Sequence, residues 1–130
     1  MSTERDVFLW LTRPTITNIK TVLEWAQKRA LRQDIRYKEG GGVDSYPSEM
    51  KFADILRHVD RSAKLFFRII VRKGMNEMLR LDNKKQKDLI DVCLFSVSIG
   101  DKRYDMNFYL SASQIETLKR KFSVSENIVH

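Results

Sequence analysis

Few residues of this 130-residue chain have the chemistry of a catalytic centre. His58 follows Asp54 by four positions, and on a helix that spacing lets a carboxylate contact an imidazole and raise its basicity. Such a histidine can act as a general base only beside a nucleophile or a substrate-binding group, and the sequence shows neither. We therefore predict a non-catalytic protein in which His58 and Asp54 form a surface ion pair. A nuclease-like enzyme that uses His58 remains a third alternative, after the two binding functions described below.

Metal and cofactor patterns are equally sparse. One cysteine and two histidines cannot build a typical zinc site. Asp82, Asp88 and Asp91 are interleaved with lysines, which indicates a solvated loop rather than a divalent-cation site. The triple glycine over 40–42 lacks the Gly-Lys-Ser/Thr ending of a phosphate-binding loop and predicts a flexible connection. The sequence thus predicts neither a metal nor another cofactor, and we interpret Cys93 as a small buried apolar residue.

The net charge of +7 is the most informative bulk property. Most of the excess positive charge lies in residues 61–130, and a basic surface favours nucleic acid or an acidic protein as partner. No segment approaches the ~20 apolar residues that span a bilayer, and the first residues lack a signal-peptide pattern. We expect a single cytoplasmic domain over residues 1–130 without a membrane partner.

Hydrophobic periodicity predicts the elements that would position a binding surface. Apolar stripes predict helices over about 15–33, 49–59 and 112–122, the second capped by Ser48 and the third by a Ser111–Gln114 capping box. Alternation and turn residues predict strands over 7–11, 35–38, 63–72, about 77–81 and 89–110, the last folded into a hairpin. Residues 123–130 are predicted to be a flexible tail. The expected fold class is α+β, a two-layer sandwich with a mostly antiparallel sheet of five to six strands and about three helices on one face.

Side-chain alternation predicts which face of the sheet is free. Odd-numbered residues from Leu65 to Val71 are apolar and are expected beneath the helices, whereas their even-numbered neighbours are expected on the uncovered face. The predicted binding residues are Lys64, Phe66, Arg68, Arg72, Arg80, Arg103, Asn107 and Tyr109. Cations neutralise phosphates while aromatic rings stack on unpaired bases. We therefore predict a binding protein for an anionic partner, with single-stranded nucleic acid favoured.

Apolar residues support a second interpretation of the same face. Five residues would form an exposed cluster more apolar than the surface of a monomer without a binding partner: Phe8, Trp10, Phe66, Ile70 and Phe95. Such a cluster favours a protein interface, including a homodimer through this face. The alternative function is a protein–protein inhibitor or adaptor, for example an immunity protein that neutralises a cytoplasmic toxin.

Overall fold

The computed structural model describes residues 6–40, 42–72 and 90–129, which form three helices and one seven-stranded sheet. The α+β prediction is confirmed, with slightly more strands than the five to six expected. In chain order the elements are β1 (Asp6–Leu11), α1 (Ile16–Arg29), β2 (Arg32–Glu39), β3 (Tyr46–Pro47), α2 (Phe52–Ser62), β4 (Ala63–Arg72), β5 (Ile90–Ile99), β6 (Lys102–Ser111), α3 (Ala112–Lys121) and β7 (Val124–Val129). The predicted strand near 77–81 lies outside the described residues.

The sheet is antiparallel between every pair of neighbouring strands, in the order β3-β2-β6-β5-β4-β1-β7. β1, α1 and β2 form a strand–helix–strand unit, but its two strands do not lie side by side. β4, β5 and β6 separate β1 from β2, and the alternating directions make β1 and β2 parallel to each other. α1 therefore connects strands from opposite halves of the sheet.

Local capping sets the helix boundaries. Thr15 accepts a hydrogen bond from the Asn18 amide at 3.1 Å and begins α1, while Ser111 and Gln114 form the predicted capping box of α3. α2 begins at Phe52, three residues later than predicted, because Ser48 has another role. Its hydroxyl accepts from the Met50 amide, and its own amide donates to the Ile35 carbonyl on the edge of β2.

All three helices pack on one face of the sheet, which we call the inner face. The buried side chains of this layer are Val7, Leu9, Leu11, Ile19, Val22, Leu23, Trp25, Ala26, Ile55, Val59, Ile69, Val71, Cys93, Phe95, Val97, Tyr104, Met106, Phe108, Leu110, Ile115 and Leu118. Phe108 is central, with ring centroids 5.4 Å from Phe95 and 6.0 Å from Phe52 in edge-to-face geometry. The predicted inward parity is confirmed for Ile69 and Val71, whereas Phe95 is fully buried rather than part of an exposed cluster.

The C-terminal segment corrects the prediction of a flexible tail over 123–130. Val124–Val129 is β7, and each of its six residues is in register with a residue of β1. The sequence has little local signal beyond its β-branched residues, so the pairing depends on β1 presenting an edge that needs a partner. Ser123, with φ of 50°, makes the turn from α3 into this strand.

None of the described helices has both the length and the apolar character needed to cross a bilayer.

Candidate functional site

The face of the sheet opposite the helices is the candidate site, and we call it the outer face. It is composed of the residues that alternate with the inner ones along β1, β2, β4, β5 and β6. Its described members are Phe8, Trp10, Arg32, Asp34, Arg36, Lys38, Arg68, Ile70, Arg72, Ile90, Val92, Leu94, Ser96, Ser98, Arg103, Asp105, Asn107 and Tyr109. Cations and aromatic rings from strands far apart in sequence therefore share one surface.

All five predicted site residues with described side chains lie on this face. Arg68 and Arg72 come from β4, and Arg103, Asn107 and Tyr109 come from β6. The backbone of Lys64 is in register with Ser98, and Phe66 falls within an irregularity of the β4–β5 register between Lys64 and Phe67. Arg80 lies outside the described residues. These placements bring the predicted residues of β4 and β6 to either side of β5.

Strand β2 contributes basic residues that the sequence-based site omitted. Arg36 is in register with Asp105, Lys38 with Arg103, and Arg32 with Tyr109. The signal was the alternation of charged residues with Ile35 and Tyr37, which marks one charged face of a strand. That alternation did not reveal that β2 pairs with β6, because strand adjacency across most of the chain is not encoded locally.

The charges of the outer face are only partly compensated. The Arg103 guanidinium bonds to the Asp105 carboxylate at 3.1 and 3.3 Å, and the Ser96 hydroxyl donates to the same carboxylate at 2.8 Å. Lys38 lies directly across from Arg103, a juxtaposition of like charges that costs stability. Among the described residues no carboxylate pairs with Lys38. The rim formed by β2 and β6 is thus positively charged.

A depression of about 230 Å³ lies in this face, lined by Arg36, Arg72, Val92, Leu94, Asp105, Asn107 and Tyr109. Small-molecule sites commonly enclose about 300–1,000 Å³, so the depression suits one base or one side chain rather than a whole cofactor. Val92 and Leu94 supply apolar lining, and two guanidinium groups and an amide supply polar contacts. Its shape therefore favours part of a larger ligand over a free metabolite.

Neighbouring groups hold the lining side chains in place. Arg36 donates from Nε to the Ser45 hydroxyl at 2.9 Å and from Nη2 to the Ser45 carbonyl at 2.6 Å. The Tyr109 hydroxyl donates to Asp34 at 3.3 Å, and the Arg32 guanidinium lies 5.4 Å from the centre of the Tyr109 ring. Burial and, after it, the nearby Asp34 carboxylate raise the pKa of Tyr109 above its usual value. Tyr109 is consequently a neutral, oriented ring at physiological pH.

The middle of the outer face is less accessible than the sequence predicted. Ile70, Ile90, Val92 and Ser96 are at most 9% exposed, whereas Trp10 is 47% exposed at the side of the sheet next to β7. Arg68 is half-buried, lies 5.9 Å from the Phe8 ring, and keeps its Nε buried without a hydrogen-bond partner. The expectation that even-numbered β4 residues are uncovered is therefore met by Arg72 but not by Ile70. Exposed charge is concentrated at the rim.

The predicted His58–Asp54 ion pair is not formed. Nδ1 of His58 lies 2.8 Å from the backbone carbonyl oxygen of Asp54, and the Asp54 carboxylate pairs with Arg57 instead. Among the described residues no three potential metal ligands come together. Cys93 is buried in the core, and burial strongly raises the pKa of its thiol, which keeps it protonated.

A second cleft, of about 470 Å³, lies where β1 ends, α1 begins and α3 ends. Arg13, Asn18, Lys121 and Ser123 are among its lining residues. Its polar groups mainly hold the chain together, since Thr12 donates to the Ser123 carbonyl at 2.7 Å and the Asn18 amide group to the Arg13 carbonyl at 2.9 Å. We assign this cleft a structural role.

Comparison of the chain with protein-family models, with curated proteins and with solved structures finds no match in any of the three.

Proposed function

We propose that the outer face binds a polyanion, with single-stranded nucleic acid as the favoured ligand. One observation carries the proposal: the sheet register places Arg36 of β2 and Arg72 of β4 around a depression that β5 lines with apolar side chains and β6 lines with Asp105, Asn107 and the Tyr109 ring. Three separate segments of the chain contribute to it. A basic surface whose only role is to keep the protein soluble does not need cations directly opposite one another, because that arrangement lowers the stability of the fold.

The charged rim and the depression of this face would bind different parts of a nucleic acid. Arg36, Arg72 and Lys38 neutralise phosphates at the rim, and this part of the binding is independent of sequence. One unpaired base enters the depression against Tyr109, Val92 and Leu94, where stacking is worth about 1–3 kcal/mol. A duplex keeps its bases stacked inside the helix, so it gains the rim contacts alone. The face accordingly favours single strands.

Fluorescence anisotropy with a labelled single-stranded oligonucleotide, in a series of salt concentrations, tests this proposal. We expect affinity to fall as salt increases, because each phosphate neutralised releases counterions and adds about 0.7 to the slope of log affinity against log salt for a single strand. Arg72→Gln removes one exposed cation beside the depression and should reduce both affinity and slope. Lys28→Gln removes one exposed cation from α1 on the other side of the sheet and is the matched control. Affinity independent of salt, or equal loss in both variants, contradicts the proposal.

The limited exposure at the middle of the outer face favours a second candidate, a protein–protein inhibitor or adaptor such as an immunity protein. One small depression accommodates a single inserted side chain of an acidic protein, and the Arg36 and Arg72 guanidinium groups that line it attract a carboxylate. This candidate predicts no affinity for oligonucleotides. It also predicts that Val92→Arg, which fills the depression without removing charge, abolishes capture of the protein partner.

A further inference from the structure

The two edges of the sheet differ in how they are protected. At one edge β3 has only two residues and includes Pro47, which lacks an amide hydrogen, and Arg36 ties the adjoining loop to β2 through Ser45. Short strands and prolines at an edge prevent pairing with other chains. The edge formed by β3 is therefore closed to a further strand.

The opposite edge has none of these features. β7 is paired with β1 over its whole length, and its sequence Val-Ser-Glu-Asn-Ile-Val contains no proline, glycine, lysine or arginine. No described strand pairs with its second side. A regular strand in that position presents a row of backbone donors and acceptors that can accept a further strand. Such an edge is the chemical requirement for extension of a sheet between two chains.

We propose that β7 pairs with β7 of a second copy of this chain and forms a twofold-symmetric dimer with a continuous sheet. A twofold axis perpendicular to the sheet restricts the register, because each residue must face a residue on the same side. Centring on Glu126 places two carboxylates opposite each other, which is unfavourable. Centring on Ser125 leaves half of the strand unpaired. Centring on Asn127 pairs Ser125 with Val129 and Glu126 with Ile128, so it gives the longest match without opposed charges.

We expect Trp10 to supply a side-chain contact across this junction. It is 47% exposed, and its neighbour in register on β7 is Ser125, a small exposed residue. Strands lie about 4.8 Å apart, so an indole that extends over a serine reaches the strand beyond it. A single strand pair buries less surface than the roughly 1,200–2,000 Å² of most stable complexes. We therefore expect a dimer in concentration-dependent equilibrium with the monomer.

Light scattering on the full chain over a range of concentrations tests the dimer. We expect the mass to approach that of two chains as concentration rises, and we expect salt to favour the dimer, because it screens repulsion between two copies of charge +7. Ser125→Lys should keep the protein monomeric, while Thr21→Lys adds the same charge on the exposed side of α1 and should not. A chain that is monomeric throughout, or a dimer equally insensitive to both variants, overturns the proposal.

The register is tested by disulfide crosslinking under oxidising conditions. Asn127→Cys places two sulfurs at the twofold axis, where paired residues are about 4.5–5.5 Å apart between Cα atoms and within the range of a disulfide. Glu126→Cys places them on a diagonal of about 7–8 Å, too far to bridge readily. Cys93 is buried and gives no competing crosslink. Crosslinking at Asn127→Cys alone is the expected result, and crosslinking at Glu126→Cys alone overturns the register. Salt should strengthen the dimer and weaken the proposed binding of nucleic acid, so the two associations can be told apart by their response to salt.

Discussion

Neutralising Asp105 should strengthen polyanion binding while it weakens the fold. The carboxylate is only 16% exposed, accepts two hydrogen bonds from Arg103 and one from Ser96, and supplies negative charge beside the depression. Asp105→Asn keeps an acceptor for the Ser96 hydroxyl but loses the charge that holds Arg103. Asp105→Ala also leaves that hydroxyl, on a residue that is 1% exposed, without its acceptor.

The two effects have different sizes. A hydrogen bond to a charged group contributes about 1.5–3 kcal/mol, so Asp105→Asn should lower the free energy of unfolding by about that amount or less, and Asp105→Ala by about 1–3 kcal/mol more. Removing a negative charge near a phosphate is worth up to about 1 kcal/mol in water, which corresponds to roughly two- to five-fold tighter binding at low salt. Urea denaturation and fluorescence anisotropy measure the two quantities on the same protein.

Asp34→Asn is the matched control for charge, because Asp34 lies on the same face but is more exposed and pairs with Arg32 at 3.4 Å. It should also strengthen binding, with a smaller loss of stability. Weaker binding in Asp105→Asn would refute the reasoning, since it would show that Arg103 contributes only when Asp105 holds it. Unchanged binding in both variants would place the polyanion elsewhere.

Three further predictions concern the scaffold. Ser123 has φ of 50°, so Ser123→Gly should raise the free energy of unfolding by about 0.5–1 kcal/mol, and Ser123→Val should lower it, as measured by thermal or urea denaturation. Phe108→Ala should cost about 3–5 kcal/mol, because the ring is fully buried against two other aromatic rings; a loss below about 1 kcal/mol would contradict that packing. The folded pKa of Tyr109 is raised, so the folded state holds its proton more tightly, and stability should decline as pH rises past the ordinary tyrosine value of about 10. Ultraviolet absorbance measures how many of the four tyrosines ionise as pH rises. The wild type should show one more tyrosine ionising at high pH than Tyr109→Phe does.

Local signals account for the features that were predicted from sequence. The Ser111–Gln114 capping box defines the start of α3 because every group in it lies within one turn. The inward parity of Ile69 and Val71 likewise follows from alternation within one strand. Features that depend on distant pairing were missed. Ser48 does not cap α2, because its hydroxyl accepts from the Met50 amide ahead of the helix and its own amide bonds to β2. β7 was not recognised because its pairing with β1 is a long-range contact that its own sequence does not indicate.

The candidate site shows the same division. Arg72, Arg103 and Tyr109 were identified from the alternation of their own strands and do lie on the outer face. Arg36 and Lys38 were left out, since their place beside β6 depends on a pairing between residues about seventy positions apart. The small exposure of Ile70 and Ile90 could not be inferred either, because alternation assigns a residue to a face but does not determine how much of that face is solvent-accessible.

The separation of β1 from β2 by three strands has a consequence for how the chain acquires its structure. β1 pairs with β4 and β7, and β2 pairs over its whole length with β6, so neither strand can complete its pairing until these strands, which follow later in the sequence, have formed. The β5–β6 hairpin is the only neighbouring pair among the long strands joined by a tight described turn, and it is the natural nucleus on which the others assemble. Folding should therefore be slow, because it depends on contacts between distant parts of the chain. A chain that ends before β6 would lack the pairing partner of both β2 and β5, and it would also lack β7, the second partner of β1.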